Sequence, residues 1–106
     1  MTKAAFRRLA LALPGAEEKS HFGKADFRVR NKIFASLKDD ATGVIKLMPE
    51  QQNMLTNAGP EIFKAIPGGW GRKGWTQVDL AKSDEITLRS ALQTAWRNVA
   101  PRTLKI

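Results

Sequence analysis

Alternating apolar and charged residues in the first third of the chain constrain its fold more than any other feature. Between residues 26 and 30, Phe27 and Val29 alternate with three charged side chains. This period of two is typical of a β-strand with one buried face. If Phe27 and Val29 face the core, then Arg28 and Arg30 are predicted to point away from it.

Short turns separate the strands that follow. Asn31-Lys32 is predicted to form a two-residue hairpin turn, because asparagine tolerates a positive φ angle. A strand over 33–37, a looser turn over 38–43 and a further strand over 44–48 come next. Connections of this length cannot form parallel crossovers, so the sheet is predicted to be antiparallel here.

Helices are predicted at both ends of the chain. The first is capped by Thr2 and ends before Pro14, because the residue that precedes a proline avoids the α conformation. The last begins after Ser83 or Asp84 and carries Trp96 on its apolar face. The patterns between these helices also predict a short helix over 49–58, a strand or single helical turn over 62–66 and a last strand over 75–80.

These elements predict one α+β domain over residues 1–106, with the terminal helices packed on one face of an antiparallel sheet. The core between them is expected to contain Leu9, Leu13, Val29, Leu92 and Trp96. The uncovered face of the sheet is expected to carry Arg28, Arg30, Phe34, Lys38, Lys46, Trp75 and Gln77. An alternative places Phe34 and Trp75 in a small satellite core, because a one-residue slip in register exchanges the two faces.

A glycine-rich segment lies just before the last predicted strand. Residues 67–75 contain four glycines, two tryptophans and the adjacent cations Arg72 and Lys73. Glycines of a compact domain commonly occur where the backbone needs unusual dihedrals or a close approach. The segment is therefore predicted to be an ordered surface loop that presents Arg72 and Lys73.

The charge of the chain favours a polyanion as partner. Eighteen Lys and Arg against ten Asp and Glu give a net charge of +8, and residues 19–38 contain six of the cations with one carboxylate. The alternative is that the cations only keep the protein soluble. The chain has no cysteine and one histidine, His21, so disulfides and thiolate chemistry are excluded and no metal or cofactor is expected.

No pattern of catalytic residues accompanies these features. The glycine-rich segment lacks the spacing of a phosphate-binding loop, and no serine lies in a nucleophile-elbow context. His21 is expected to have a structural role rather than to act as a general acid or base. The absence of a signal peptide and of a long apolar segment predicts a cytoplasmic protein without membrane contact.

Several short motifs occur in an order that resembles a known family over nearly the whole chain. They are 13–16 (Leu-Pro-Gly-Ala) with Glu18, 21–23 (His-Phe-Gly), 27–29 (Phe-Arg-Val), 32–35 (Lys-Ile-Phe-Ala), 74–75 (Gly-Trp) and 78–80 (Val-Asp-Leu). The series resembles the YjbR/MmcQ-like family of small bacterial proteins. That resemblance implies a fold like that of the CyaY/frataxin proteins and a role in DNA binding through a "double wing" of hairpins.

Two departures qualify what the resemblance implies. Asn31 stands where the family often has a glycine before its Lys-Ile-Phe-Ala motif, and asparagine can adopt the same left-handed conformation. Frataxins bind iron through an acidic first helix, whereas the first helix here carries Lys3, Arg7 and Arg8. An iron-binding role is therefore not expected from the fold.

The resulting hypothesis is a non-catalytic DNA-binding protein, monomeric, that contacts the phosphate backbone. The candidate DNA-binding residues are Arg28, Arg30, Lys32, Lys38, Lys46, Arg72, Lys73 and Trp75. Duplex DNA with weak sequence preference is expected, since no recognition helix is apparent. The alternative function is a protein-interaction or small-ligand module that uses the glycine-rich loop and the open face of the sheet.

Overall fold

The chain forms six strands and four helices, and the structure, a computed structural model, describes all residues 1–106. The elements are α1 (Lys3–Leu11), β1 (Ala16–His21), β2 (Lys24–Val29), β3 (Lys32–Leu37), β4 (Thr42–Lys46), α2 (Pro49–Ala58), β5 (Phe63–Ala65), α3 (Gly69–Arg72), β6 (Trp75–Asp79) and α4 (Glu85–Val99). The strands form one antiparallel sheet in the order β1-β2-β3-β4-β6-β5. The predicted α+β architecture is confirmed.

The two faces of the sheet have different surroundings. Residues that pair across the central strands share a face, because side chains alternate along each strand. The core face, which α1 and α4 cover, carries Phe27, Ala35, Ile45, Thr76 and Val78. The opposite face, called the open face below, carries Asp26, Ser36, Val44, Lys46, Trp75 and Gln77.

A single core joins α1 and α4 to the sheet. Leu9, Leu13, Val29, Leu92 and Trp96 are all buried in it, as predicted. The indole nitrogen of Trp96 also donates a hydrogen bond of 2.8 Å to the carbonyl oxygen of Pro14. This bond ties α4 to the segment that connects α1 with the sheet.

Both terminal helices begin at a capping side chain. The Thr2 hydroxyl accepts a hydrogen bond from the backbone N–H of Ala5, as the sequence predicts. At α4 the cap is Asp84 rather than Ser83, since its carboxylate accepts from the N–H of Thr87 at 2.7 Å. That bond lowers the pKa of Asp84.

Phe34 lies in the core and not on the open face. Phe27 pairs with Ala35 but Arg28 pairs with Ile33, so β3 contains one more residue than β2 at this point. Phe34 is the extra residue of this β-bulge and is 0 % exposed. The predictions that placed Phe34 on the open face or in a satellite core were wrong, because both assumed an uninterrupted period of two.

The turn between β2 and β3 is displaced by one residue from its prediction. Val29 pairs with Lys32, which makes Arg30 and Asn31 the two central residues of the hairpin. Both have positive φ angles, 50° and 67°, as the tight turns that match strand twist require. Arg30 is therefore a turn residue, and the prediction that it continues the outward pattern of Arg28 was wrong.

Strand β1 has no counterpart among the predicted elements. It spans Ala16–His21 at the edge of the sheet, and every residue after Ala16 is exposed. Apolar alternation requires a buried face, which this edge strand lacks. Elsewhere α2 has its predicted bounds, and the ambiguous segment 62–66 contains strand β5. No helix has the length and apolarity that a membrane span requires.

Candidate nucleic-acid interface

The glycine-rich loop contains a single helical turn, α3, and three of its four glycines, Gly68, Gly71 and Gly74, have the unusual dihedrals or close approach that the sequence predicts. Gly74 has a φ angle of 108°, and a Cβ atom added to it would lie 1.8 Å from the carbonyl oxygen of Leu47. A Cβ atom on Gly71 would lie 1.7 Å from the carbonyl oxygen of Ile66. The backbone of this loop is thus packed directly against its neighbours. Arg72 is exposed on α3, as predicted.

A buried glutamine holds the loop in place. The amide nitrogen of Gln52, on α2, lies 3.0 to 3.1 Å from three acceptors: the carbonyl oxygens of Gly71 and Trp75 and the hydroxyl oxygen of Thr76. The Thr76 hydroxyl in turn donates to the carbonyl oxygen of Gly74 at 2.9 Å. This network fixes α3 relative to β6, and with it the side chains that the loop presents.

Two tryptophans on this loop and on β6 pack edge to face. The ring centroids of Trp70 and Trp75 are 6.0 Å apart, with an interplanar angle of 74°. The ammonium groups of Lys73 and Lys46 lie 5.5 Å from the Trp70 centroid and 5.7 Å from the Trp75 centroid, within the range of cation–π attraction. Trp70 remains 64 % exposed.

The tryptophans form one end of a depression on the open face, which we call the tryptophan groove. Its volume is about 380 Å³, within the range of ligand sites. The lining residues are His21, Lys24, Ala25, Asp26, Ile33, Ser36, Leu37, Lys38, Val44, Ile66, Trp70 and Trp75. The lining is mainly apolar, and two lysines, Lys24 and Lys38, contribute cations to it.

The carboxylate in the groove is already neutralised. Asp26 is 4 % exposed and accepts two hydrogen bonds from the Arg28 guanidinium, at 2.8 and 3.0 Å. These bonds raise the pKa of Arg28. Arg28 also donates to the side-chain oxygen of Asn31 at 2.9 Å. Arg28 lies on the open face as predicted, but this pairing occupies much of its hydrogen-bonding capacity.

The remaining cations near the groove have no carboxylate partner. The five ion pairs of the structure use the cations Lys3, Arg7, Arg8, Arg28 and Arg89. Lys24, Lys38, Lys46, Arg72 and Lys73 form none. The lysines that line the groove or lie over its tryptophans are therefore outside ion pairs, whereas Arg7 and Arg8 of α1 are paired with acids.

Arg30 and Lys32 lie away from the groove. They line a shallow depression together with residues 98–101 at the end of α4. A cation near the C-terminus of a helix interacts favourably with the helix dipole. The predicted basic hairpin is therefore divided: Arg28 is on the open face, while Arg30 and Lys32 lie beside α4.

Comparison with known proteins identifies the family. The YjbR family model matches residues 11–98. The chain belongs to the YjbR family. The crystal structure of the Deinococcus radiodurans protein DR2400, which contains a DUF419 domain, is similar to this YjbR structure with a TM-score of 0.78 and 20 % sequence identity. The match covers 98 % of this chain and 82 % of DR2400, and no curated protein matches the sequence significantly.

These comparisons confirm the resemblance that the sequence motifs indicate. The family and the fold are the expected ones. In this YjbR chain no group of three or more His, Cys, Asp and Glu side chains is placed to hold a metal ion.

The most important residues that sequence reasoning missed are the apolar lining of the groove. Ile33, Val44, Ile66 and Trp70 come from different elements of the chain, and none was a candidate site residue. One signal was available for Val44, which is two residues from Lys46 and must share its face of the strand. Nothing in the sequence indicated that the other three meet there.

The β1–β2 hairpin of this YjbR protein presents an exposed phenylalanine in a strained conformation. Phe22 is 93 % exposed and has a φ angle of 52°, which bulky side chains rarely adopt. Its ring lies 4.4 Å from that of His21, and His21 lines the groove. Folding alone gives no reason for Phe22 at this position.

Replacing Phe22 with asparagine is therefore expected to leave the free energy of unfolding unchanged or to raise it by up to about 1 kcal/mol. Asparagine tolerates the left-handed conformation better, and almost no buried area is lost. Urea denaturation of the two proteins measures the difference. A loss above about 1 kcal/mol would show that Phe22 contributes to the folded core.

Proposed function

We propose that this YjbR-family protein binds DNA, through contacts between phosphates and the cations around the tryptophan groove, and that it does not catalyse a reaction. The observation that carries the proposal is a set of cations without ion pairs at one groove: Lys24 and Lys38 line it, and Lys46 and Lys73 lie over its tryptophans. Arg72 is exposed next to Lys73 on α3 and is likewise unpaired. Polyanions are the ligands that such a surface attracts.

The distribution of acids supports binding over mere solubility. The lining of the groove contains one carboxylate, Asp26, beside the two lysines Lys24 and Lys38. Here Glu18 and Glu85 neutralise arginines of α1, and Asp26 neutralises Arg28. No free carboxylate of the groove lining therefore offsets the charges of Lys24 and Lys38.

Replacing Arg72 and Lys73 together with alanine is expected to weaken DNA binding and its salt dependence. Each phosphate contact contributes about 0.9 to the slope of log affinity against log salt on duplex DNA and about 0.7 on single strands. Loss of both contacts should flatten the slope by roughly two on a duplex. Fluorescence anisotropy with a labelled oligonucleotide at several salt concentrations measures it.

The matched control is the double alanine variant of Arg7 and Arg8. These arginines lie on α1, on the opposite side of the sheet, and they pair with Glu18 and Glu85. The same loss of two charges should there change the slope much less. Equal slopes for wild type and the Arg72/Lys73 variant would refute the proposed phosphate contacts.

The apolar lining of the groove favours a second candidate function, the binding of a protein segment or an uncharged small molecule. Burial of apolar surface responds weakly to salt, whereas phosphate contacts respond steeply. Absence of binding to duplex DNA, single-stranded DNA and heparin at low salt would leave this second function as the better account.

A further inference from the structure

We infer that the tryptophan groove accepts unpaired bases, so that the protein prefers single-stranded DNA to duplex DNA. This inference rests on the proposed function, since it assumes that the surrounding cations contact phosphates. It adds the chemical class of ligand for the groove itself, which contacts with a phosphate backbone leave unexplained.

The mainly apolar lining of the groove favours a ligand with exposed apolar faces. Ile33, Val44 and Ile66 line it, and Trp70 and Trp75 form one end. In a duplex the base faces are stacked on each other and only their edges are accessible. In a single strand every base offers a π-face that can stack on an aromatic side chain.

The position of the lysines relative to the rings matches the alternation of base and phosphate. Lys73 lies 5.5 Å from the Trp70 centroid, and Lys46 lies 5.7 Å from the Trp75 centroid. A base that stacks on Trp70 would displace Lys73 from the ring face, and the freed ammonium group would lie close to the phosphate of that nucleotide. The lysines at the tryptophan end of the groove can therefore contact phosphates of a strand whose bases enter the groove.

Lys24 and Lys38 line the same groove. They can contact phosphates along the groove, as Lys46 and Lys73 can at the tryptophans. Its one carboxylate, Asp26, is neutralised by Arg28. No free acid in the lining would repel a strand. An acidic peptide would satisfy the lysines, but it would not supply the planar faces that the exposed indole accommodates.

The backbone that carries the two tryptophans is held in place before any ligand arrives. Gln52 fixes the backbone of the loop at Gly71 and of β6 at Trp75, and Gly74 packs directly on Leu47. Affinity gained by stacking is then not offset by the entropy of ordering the loop. Phe22 follows His21 of the groove lining and supplies a further exposed ring.

The test compares three ligands of equal length: a thymidine oligomer of about ten nucleotides, within the ~4–16 that one small domain covers, an abasic strand and a duplex. The thymidine strand is expected to bind about 5- to 150-fold more tightly than the abasic strand, since a base stacked on an aromatic ring contributes ~1 to 3 kcal/mol. Wild type should also bind it more tightly than the duplex.

Trp70→Ala should lose that same factor toward the thymidine strand while its affinity for the abasic strand stays unchanged. Trp70→Phe should recover part of the loss, because a ring is restored. The control is Ile86→Ala, an exposed apolar residue on α4 outside the groove, which should bind all three ligands as wild type does.

The outcomes separate this inference from the proposed function. Equal affinity for the thymidine and abasic strands, or tighter binding of the duplex, would overturn base insertion while leaving the phosphate contacts intact. Tighter binding of an equally long RNA strand would overturn the assignment to DNA. Absence of binding to any polyanion would refute the proposed function and this inference together.

Discussion

Replacing Trp96 with alanine is expected to reduce the free energy of unfolding by about 3 to 5 kcal/mol. The side chain is 2 % exposed in the core between α4 and the sheet, so its removal leaves a cavity the size of an indole ring. The variant also leaves the carbonyl oxygen of Pro14 without its donor. Because small domains have a total free energy of unfolding of about 5 to 15 kcal/mol, the expected loss is a large fraction of it.

Urea denaturation followed by circular dichroism measures the effect, and Trp70→Ala is the matched control. Both variants remove an indole, but Trp70 is 64 % exposed, so its loss should cost about 1 kcal/mol, mainly its contact with Trp75. Trp96→Phe should fall between wild type and Trp96→Ala, since it keeps most of the packing and loses the hydrogen bond. A loss below 1 kcal/mol for Trp96→Ala would contradict the burial of Trp96 between α4 and the sheet.

The parts of the fold that the sequence predicts are those in which local pattern and burial agree. In α4 the apolar face that includes Leu92 and Trp96 repeats at helical spacing, and Asp84 supplies a cap that accepts from the Thr87 N–H. In β2 the apolar positions Phe27 and Val29 are buried as the alternation predicts, although the charged Asp26 beside them is buried as well.

The errors arise where a single residue changes the register. The bulge at Phe34 inserts one residue into β3 and turns an apparently outward ring into the core. No composition signal marks it, since Phe34 fits either face equally well. The hairpin turn at Arg30 and Asn31 was displaced for a related reason, because Asn31 suits either central position of a two-residue turn.

The groove could not be predicted because it is a property of the sheet rather than of any segment. Ile33 on β3, Val44 on β4 and Ile66 after β5 meet only through strand order. The ion pair between Arg28 and Asp26 could have been predicted, since residues two apart on a strand share a face. Such a pair implies that Arg28 is less available for phosphate contacts than a cation without an acidic partner.

Replacing Gly74 with alanine is expected to reduce the free energy of unfolding by about 3 to 5 kcal/mol, from two additive causes. The φ angle of 108° is unfavourable for any side chain, and the new Cβ atom would lie 1.8 Å from the Leu47 carbonyl oxygen. That contact is with backbone, so it can be relieved only by moving the loop or the segment that follows β4. The Leu47 N–H donates to the Gly74 carbonyl oxygen at 3.1 Å, and this bond would be lost as well.

Two other glycines of the loop separate the causes. Gly68 also has a positive φ angle, 86°, but a Cβ atom there has no heavy atom within 4 Å, so Gly68→Ala should lose only the conformational term, about 1 to 2 kcal/mol. A Cβ atom on Gly69 meets only the end of the Arg72 side chain, at 3.9 Å, so Gly69→Ala should be neutral or stabilise by up to about 1 kcal/mol. Urea denaturation of all three variants gives the order.

The order of these variants also tests how the loop serves binding. If close packing at Gly74 positions Trp70 and Lys73, then Gly74→Ala should weaken binding of single-stranded DNA even under conditions where the variant is fully folded. Gly69→Ala should bind as wild type does, because nothing in the packing of the loop changes. A folded Gly74→Ala variant with wild-type affinity would show that the loop need not be held rigidly, and that its charges alone determine binding.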